Sequence, residues 1–177
     1  MRQYAAPTRN KSTKFQLMTD TENLRLSPGD KAPELCLENQ DHKQICLSEN
    51  LGQKIVLYFY PKDLTPGCTT QASELTAILP KLRAAGYMVY GVSSDTPEKH
   101  REFIKKINIG FELLSDPDKS VMTAWGTYGR KLMYGRETVG VIRSTFVIDE
   151  RGVITKAAYA TKATGHAARL AKELGLV

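Results

Sequence analysis

The chain has 177 residues, of which 41% are hydrophobic, and this length and composition fit one globular domain with a full core. No apolar stretch approaches the roughly 20 residues that a membrane-spanning helix needs, so we expect no membrane partner. The formal net charge is +6, but four cations precede the first acidic residue, Asp20. Because the rest of the chain is nearly neutral, we expect no nucleic-acid partner.

The first 23 residues differ in composition from the remainder. They are polar and basic and have no hydrophobic period, so they cannot bury enough apolar area to fold alone. We expect a flexible basic tail over residues 1–23 and a single domain over residues 24–177. The same composition also suits a transit peptide, or a start placed too far upstream, with Met18 as an alternative first residue.

Hydrophobic runs and turn residues predict alternating strands and helices. Strands are expected at 33–39, 43–49, 54–60, 87–93, 111–116, 143–150 and 153–159. Helices are expected at about 69–85, 94–107, 116–126 and 165–174. The first two strands and the last two strands read as antiparallel hairpins. The pattern predicts an α/β fold with a mixed central sheet, helices on both faces and an N-terminal hairpin.

One cysteine, Cys68, lies on the turn between the strand at 54–60 and the following helix, in the segment YPKDLTPGCTT. A helix N-terminus presents free N–H groups and the positive end of the helix dipole, and both favour a thiolate. A thiolate is a nucleophile, so the sequence predicts that Cys68 is reactive.

The chain from about Ser27 resembles the peroxiredoxins, and within them the bacterioferritin-comigratory-protein (PrxQ) subfamily. The resemblance rests on the pattern Pro61-x-x-x-Thr65-x-x-Cys68, on SDPDKSVMTAWGTYG (115–129) and on VGVIRSTFVID (139–149), in which Arg143 takes the place of the family's active-site arginine. It implies a thioredoxin-like fold with the peroxiredoxin insertions, and a peroxidase that needs no metal, haem or flavin.

Peroxide reduction assigns a role to each residue of this pattern. The Cys68 thiolate attacks one oxygen while the other leaves, so negative charge spreads over both oxygens in the transition state. Donors for these oxygens are expected from the Thr65 hydroxyl, the N–H groups of Gly67 and Cys68, and the Arg143 guanidinium. Pro61 is expected to fix the loop and to shield the sulfur. The product on Cys68 is a sulfenic acid.

The sequence departs from many members of the subfamily at Ser73, where they carry a resolving cysteine five residues after the first. Serine cannot form a disulfide with a sulfenic acid. We therefore expect a one-cysteine mechanism for hydrogen peroxide and organic hydroperoxides, with thioredoxin, glutaredoxin or a small thiol as the reductant, and a monomer rather than a dimer. The alternative is a peroxide sensor or holdase on the same fold.

The remaining candidate residues receive simpler interpretations. Cys36 and Cys46 are interpreted as spectator thiols that can face each other across the first hairpin. The three cysteines lack metal-ligand spacing and favour a reducing, cytoplasmic setting. Asp63 is interpreted as a solvated loop charge, and His100 as a solvated residue on the polar face of its helix.

Overall fold

The computed structural model describes residues 24–177, and the tail expected over residues 1–23 lies outside the described part of the chain. Its β-strands are β1 (Cys36–Asn39), β2 (Gln44–Cys46), β3 (Lys54–Phe59), β4 (Tyr87–Ser93), β5 (Glu112–Ser115), β6 (Tyr128–Met133), β7 (Arg136–Val141), β8 (Ser144–Ile148) and β9 (Ile154–Ala158). Its α-helices are α1 (Pro66–Ala84), α2 (Pro97–Ile107), α3 (Ser120–Ala124) and α4 (His166–Glu173), and a 3-10 turn covers Leu47–Asn50.

Seven of these strands form one mixed sheet in the order β2-β1-β5-β4-β3-β8-β9. The central strand β3 runs parallel to β4 and antiparallel to β8. β1 with β2 and β8 with β9 form antiparallel pairs, as expected for the first and last hairpins. The predicted mixed α/β sheet with an N-terminal hairpin is therefore confirmed.

The two faces of the sheet bury separate hydrophobic clusters. One face packs against α1, α2 and α4, and its cluster includes Tyr58, Leu75 and Phe103. The other face packs against α3 and buries Phe59 and Trp125. Neighbouring residues of β3 contribute to opposite clusters because side chains alternate along a strand. Among the described helices, none is long and apolar enough to cross a membrane.

Two features of the fold differ from the sequence-based expectations. α1 begins at Pro66 rather than at Thr69, so Cys68 is its third residue and lies inside the first turn. The segment between α3 and β8, to which no strand was assigned, forms the antiparallel hairpin β6–β7, a two-stranded sheet of its own. Its sequence, YGRKLMYGRETVGV, lacks the apolar/polar alternation of a half-buried strand because both faces of the hairpin are largely open to solvent.

The first hairpin carries a disulfide bond between Cys36 and Cys46, which we interpreted from the sequence as two spectator thiols. The two residues are direct partners in the β1–β2 register, with their Cα atoms 4.1 Å apart. Leu35 and Ile45 belong to the buried cluster beneath the hairpin, and Cys36 is exposed. Cys68 is the free cysteine of the described residues.

Candidate active site

Cys68 lies at the N-terminus of α1, immediately beyond the carboxyl end of β3. Thr65 is the N-cap residue with an extended backbone, and Pro66 occupies the first helical position, where its fixed φ suits a helix and its missing N–H costs nothing. The first N–H groups of a helix have no intrahelical acceptor, and those of Gly67 and Cys68 are the first that α1 has. The Cys68 side chain is 2% exposed. The sulfur is therefore held in a nearly dry site at the positive end of a helix.

Arg143 brings a permanent positive charge to the same sulfur. Its Nη2 lies 3.4 Å from Cys68 Sγ, although 75 residues separate the two in sequence. Its Nη1 donates a hydrogen bond to Oε1 of the buried Gln71, one helical turn after Cys68 on α1. Its backbone carbonyl accepts hydrogen bonds from the N–H (2.8 Å) and hydroxyl (3.2 Å) of Thr161. Arg143 is thus held by hydrogen bonds at both its guanidinium group and its main chain.

The other residues predicted for the site surround this pair. Thr65 donates its hydroxyl hydrogen to the Lys62 carbonyl at 2.8 Å, so its oxygen keeps its lone pairs for a further donor. A Cβ added at Gly67 would lie 3.4 Å from Arg143 Nη2, so the guanidinium passes directly over this glycine. Pro61 and Arg143 both line a cavity of about 570 Å³. The sequence-predicted residues are therefore brought together, but the Thr65 hydroxyl is bonded to the loop rather than to the sulfur.

The cavity beside Arg143 is bounded on its far side by the β6–β7 hairpin. Its walls combine apolar side chains (Leu132, Met133, Val141 and Ile142) with charged ones, the cations Arg25, Arg130 and Lys131 and the acid Glu137. Lys131 Nζ donates to the Val141 carbonyl at 2.7 Å. Desolvation, followed by the neighbouring charge of Arg143, lowers the pKa of Lys131. No group of His, Cys, Asp and Glu side chains suited to a metal occurs among the described residues.

Asp63 and His100 correct two expectations, because both are buried rather than solvated. Asp63 Oδ2 lies 2.5 Å from His100 Nδ1, and Asp63 Oδ1 accepts the Tyr60 hydroxyl at 2.5 Å. His100 Nε2 donates to the Leu114 carbonyl at 2.9 Å, and the Asp63 N–H donates to Asp95 Oδ2 at 2.8 Å. This network ties the loop between β3 and Cys68 to β5 and α2. Burial, followed by the Asp63 charge, raises the pKa of Tyr60 well above its usual value.

Two further residues of the site were missed by the sequence reasoning as functional candidates. Gln71 holds Arg143, and its Nε2 has no hydrogen-bond partner among the described residues. Tyr58, on β3, is buried, and its hydroxyl likewise lacks a partner among them. Burial, followed by the negative charges of Cys68 and Asp63, raises the pKa of Tyr58 well above its usual value. The position of Gln71 three residues after Cys68, on the same side of a helix, was the available signal for the first of these.

The comparison with known proteins agrees with this geometry. The chain matches the AhpC/TSA family over residues 28–157. A Mycobacterium tuberculosis protein whose name places it among the peroxiredoxins is 48% identical over 156 residues, which cover 88% of this chain and 99% of the relative. Peroxiredoxin Bcp of Escherichia coli is 43% identical over 129 residues, or 73% of this chain and 83% of the relative. The chain is a peroxiredoxin.

Solved structures place this peroxiredoxin in the Bcp/PrxQ subfamily and confirm the predicted thioredoxin-like fold. A structure of the Xanthomonas campestris bacterioferritin comigratory protein, studied for its alkyl peroxide reduction activity, is 36% identical, with a TM-score of 0.74 over 80% of this chain and 90% of the other. A PrxQ mutant from Xylella fastidiosa is 32% identical, with a TM-score of 0.80 over 86% of this chain and 98% of the other. Membership of the family makes the protein a thiol-dependent peroxidase that takes peroxide as its substrate.

Proposed function

We propose that this peroxiredoxin reduces hydrogen peroxide and organic hydroperoxides through Cys68 alone and draws its electrons from an external thiol. The observation that carries the proposal is the 3.4 Å approach of Arg143 Nη2 to the Cys68 sulfur at the N-terminus of α1. A cation and free N–H groups converge there on one nucleophile. This is the arrangement that a reaction with charge developing on two oxygens requires.

The reaction begins when the Cys68 thiolate attacks one peroxide oxygen in line with the O–O bond. The S–O bond forms, the O–O bond breaks, and the departing oxygen leaves as hydroxide or alkoxide and takes up a proton. Arg143 and the N–H groups of Gly67 and Cys68 donate hydrogen bonds to the two oxygens as their charge changes. The Thr65 oxygen, whose own hydrogen is given to Lys62, can accept a hydrogen bond from the peroxide O–H.

Preorganisation of Arg143 is the contribution of the surrounding residues. Gln71 holds one guanidinium nitrogen, and Thr161 holds the main chain of Arg143, so little reorganisation is needed as the charge develops. The low exposure of Cys68 keeps bulk water from the sulfur. In such a dry site an electrostatic contact acts more strongly than it does in water.

The cavity beside Arg143, which has an apolar wall, supports organic hydroperoxides as substrates. Its volume of about 570 Å³ exceeds what hydrogen peroxide needs, and its apolar wall offers contacts to an organic chain. The alkyl peroxide reduction activity for which the Xanthomonas campestris bacterioferritin comigratory protein was studied agrees with this choice.

The positions of the sulfurs support a one-cysteine cycle. Ser73 stands where many relatives have the resolving cysteine, and Cys36 and Cys46 are bonded to each other on the far side of β5 and β4. The sulfenic acid on Cys68 therefore reacts with an incoming thiol and releases water, and a second thiol then frees Cys68 from the mixed disulfide. Thioredoxin, glutaredoxin and small thiols all supply this chemistry.

The test is peroxide turnover by the wild type and by Cys68→Ser with each class of reductant. The variant keeps a hydroxyl that stays protonated at neutral pH, so we expect its turnover to fall to background. Retention of about a tenth of the wild-type rate would remove Cys68 from its assigned role. Mass spectrometry after one equivalent of peroxide should find Cys68 as a sulfenic acid, or as a mixed disulfide when a thiol is added.

A further inference from the structure

The disulfide bond in the first hairpin lies outside the peroxidase site. We propose that Cys36 and Cys46 form a second redox centre, a dithiol/disulfide pair that exchanges with dithiol reductants through Cys36 and works independently of Cys68. The proposal rests on three features of the pair: its alignment by the backbone, its one-sided exposure, and the charge beside one of its sulfurs.

The backbone aligns the two cysteines whether or not they are bonded. They are direct partners in the β1–β2 register, and their Cα atoms are 4.1 Å apart. The Leu47 N–H donates to the Leu35 carbonyl at 3.0 Å on one side of the pair, and the Asn39 N–H donates to the Lys43 carbonyl at 2.8 Å on the other. Reduction would therefore leave two thiols side by side, and closure of the bond would be an intramolecular reaction with a high effective concentration.

The hairpin does not depend on the bond for its position. Leu35 and Ile45 are buried beneath it, and β1 also pairs with β5. The two cysteines are only 10 residues apart in sequence, and the loop-closure stabilisation that a disulfide contributes is small for so short a loop. The contribution is smaller where hydrogen bonds already close the turn. The fold can thus accommodate both redox states.

Access to the pair is limited to one sulfur. Cys36 is exposed, whereas Cys46 is 8% exposed. A surface groove of about 400 Å³ runs beside Cys36, with Leu37, Pro97 and Pro117 in its wall. A thiolate must approach along the S–S axis from the side away from the leaving sulfur. The open side of Cys36 makes it the sulfur that is attacked.

Glu34 favours the same direction of attack. Its Oε1 lies 3.8 Å from Cys36 Sγ and accepts hydrogen bonds from the N–H groups of Leu35 at 3.0 Å and Ser48 at 3.3 Å. Desolvation opposes ionisation of this carboxyl, but the hydrogen bonds to it together lower its pKa. A negative carboxylate beside Cys36 disfavours a thiolate there, so Cys46 is the better leaving group.

The exchange is a two-electron reaction. The thiolate of a dithiol reductant attacks Cys36 Sγ, the Cys36–Cys46 bond breaks, and Cys46 leaves as a thiolate that takes up a proton. The second thiol of the reductant then attacks the mixed disulfide and releases Cys36. The protein gains two electrons and two protons, and the reductant becomes a disulfide. In the opposite direction a disulfide oxidant, or one molecule of hydrogen peroxide reduced to two of water, restores the bond.

The pair acts separately from the peroxidase site because of its place in the sheet. β5 and β4 lie between β1 and β3, and Cys68 follows β3. Three strand spacings amount to about 14 Å, which is too far for a bond between Cys68 and either hairpin sulfur in this conformation. The centre would respond to the balance of dithiols and disulfides around the protein, in addition to the peroxide that Cys68 consumes.

The experiment uses the full chain carrying Cys68→Ser, so its result does not depend on peroxidase activity. The folded protein is treated with dithiothreitol, trapped with N-ethylmaleimide and weighed by intact mass spectrometry, while circular dichroism follows the fold. We expect two alkyl groups per chain and a retained fold, and a reduced sample that is reoxidised before N-ethylmaleimide is added should take up none. The triple variant Cys36→Ser/Cys46→Ser/Cys68→Ser is the control and should take up none. Reduction that occurs only at urea concentrations that unfold the sheet would show a purely structural bond and overturn the proposal.

A second measurement tests which sulfur is attacked. A brief exposure of the same folded protein to glutathione, a monothiol, followed at once by N-ethylmaleimide to cap Cys46 before it expels the glutathione, should leave a mixed disulfide on Cys36, and peptide mapping locates it. Glutathione found on Cys46 instead would overturn the assignment of Cys36 as the entry point.

Discussion

Replacement of Asp63 by alanine should destabilise the protein strongly. Asp63 is 1% exposed and binds the Tyr60 hydroxyl and His100 Nδ1, each at 2.5 Å. The substitution removes both hydrogen bonds and leaves the buried His100 without its carboxylate. Breaking one side of a buried pair of this kind costs about 3–5 kcal/mol. In a domain of this size that loss lowers Tm by about 6–20 °C.

The measurement is urea and thermal unfolding of wild type and Asp63→Ala, with Asp41→Ala as the matched control. Asp41 makes an ion pair with Arg101 at 3.2 Å, but its side chain is 65% exposed, so the same substitution there should cost less than about 1 kcal/mol. Because the network anchors the loop that carries Thr65 and leads to Cys68, peroxide turnover should fall together with stability. Equal unfolding free energies for the two variants would refute the reasoning that the network anchors this loop.

Three other predictions concern the site and its surroundings. Arg143→Gln removes the charge beside the sulfur and should slow the reaction of Cys68 with peroxide about ten-fold to a thousand-fold in stopped-flow measurements. Arg143→Lys should restore part of the rate. An unchanged rate constant in Arg143→Gln would contradict this role. Burial, followed by the charges of Arg169 and Arg143, lowers the pKa of His166 to about 4. Between about pH 6.5 and 4 the unfolded chain therefore binds a proton that the folded chain does not, and the free energy of unfolding should fall by about 3 kcal/mol as the pH drops through this range. The same fall in His166→Gln would exclude His166 as its source. The double variant Cys36→Ser/Cys46→Ser should keep near-normal peroxide turnover with a small thiol, and a large loss would connect the hairpin to catalysis.

The strands and helices that build the main sheet could be predicted because their local patterns agree with their tertiary role. The β4 strand has the expected bounds, and Thr96 with Pro97 marks the start of α2, where the Thr96 hydroxyl accepts the Lys99 N–H at 3.2 Å. The β6–β7 hairpin was missed because its strands are largely exposed and carry no core pattern. Hydrophobic periodicity reports burial, so a solvent-exposed hairpin gives little signal.

The candidate site was predictable where a short motif carries it and, at Arg143, where the family resemblance supplies a distant residue, but not where other distant side chains combine. Thr65 and Cys68 share a single turn, and their positions follow from the sequence. The buried contact between Asp63 and His100 joins a loop to a helix 37 residues later, and nothing in either local pattern indicates it. Charged residues are almost always exposed unless paired, so the general rule favoured the wrong interpretation for both. The Cys36–Cys46 bond was foreseeable only as a possibility, through their symmetric places in the hairpin.

The separation of the β6–β7 hairpin from the main sheet has a consequence for engineering. Among the described strands, those of the hairpin pair only with each other, yet Leu132 and Met133 help to form the wall of the cavity beside Arg143. The exposed residues of the hairpin can therefore be exchanged without altering a strand pairing of the seven-stranded sheet. Libraries that vary the length and the apolar residues of this one segment should reshape peroxide selectivity while the reactive sulfur stays as it is.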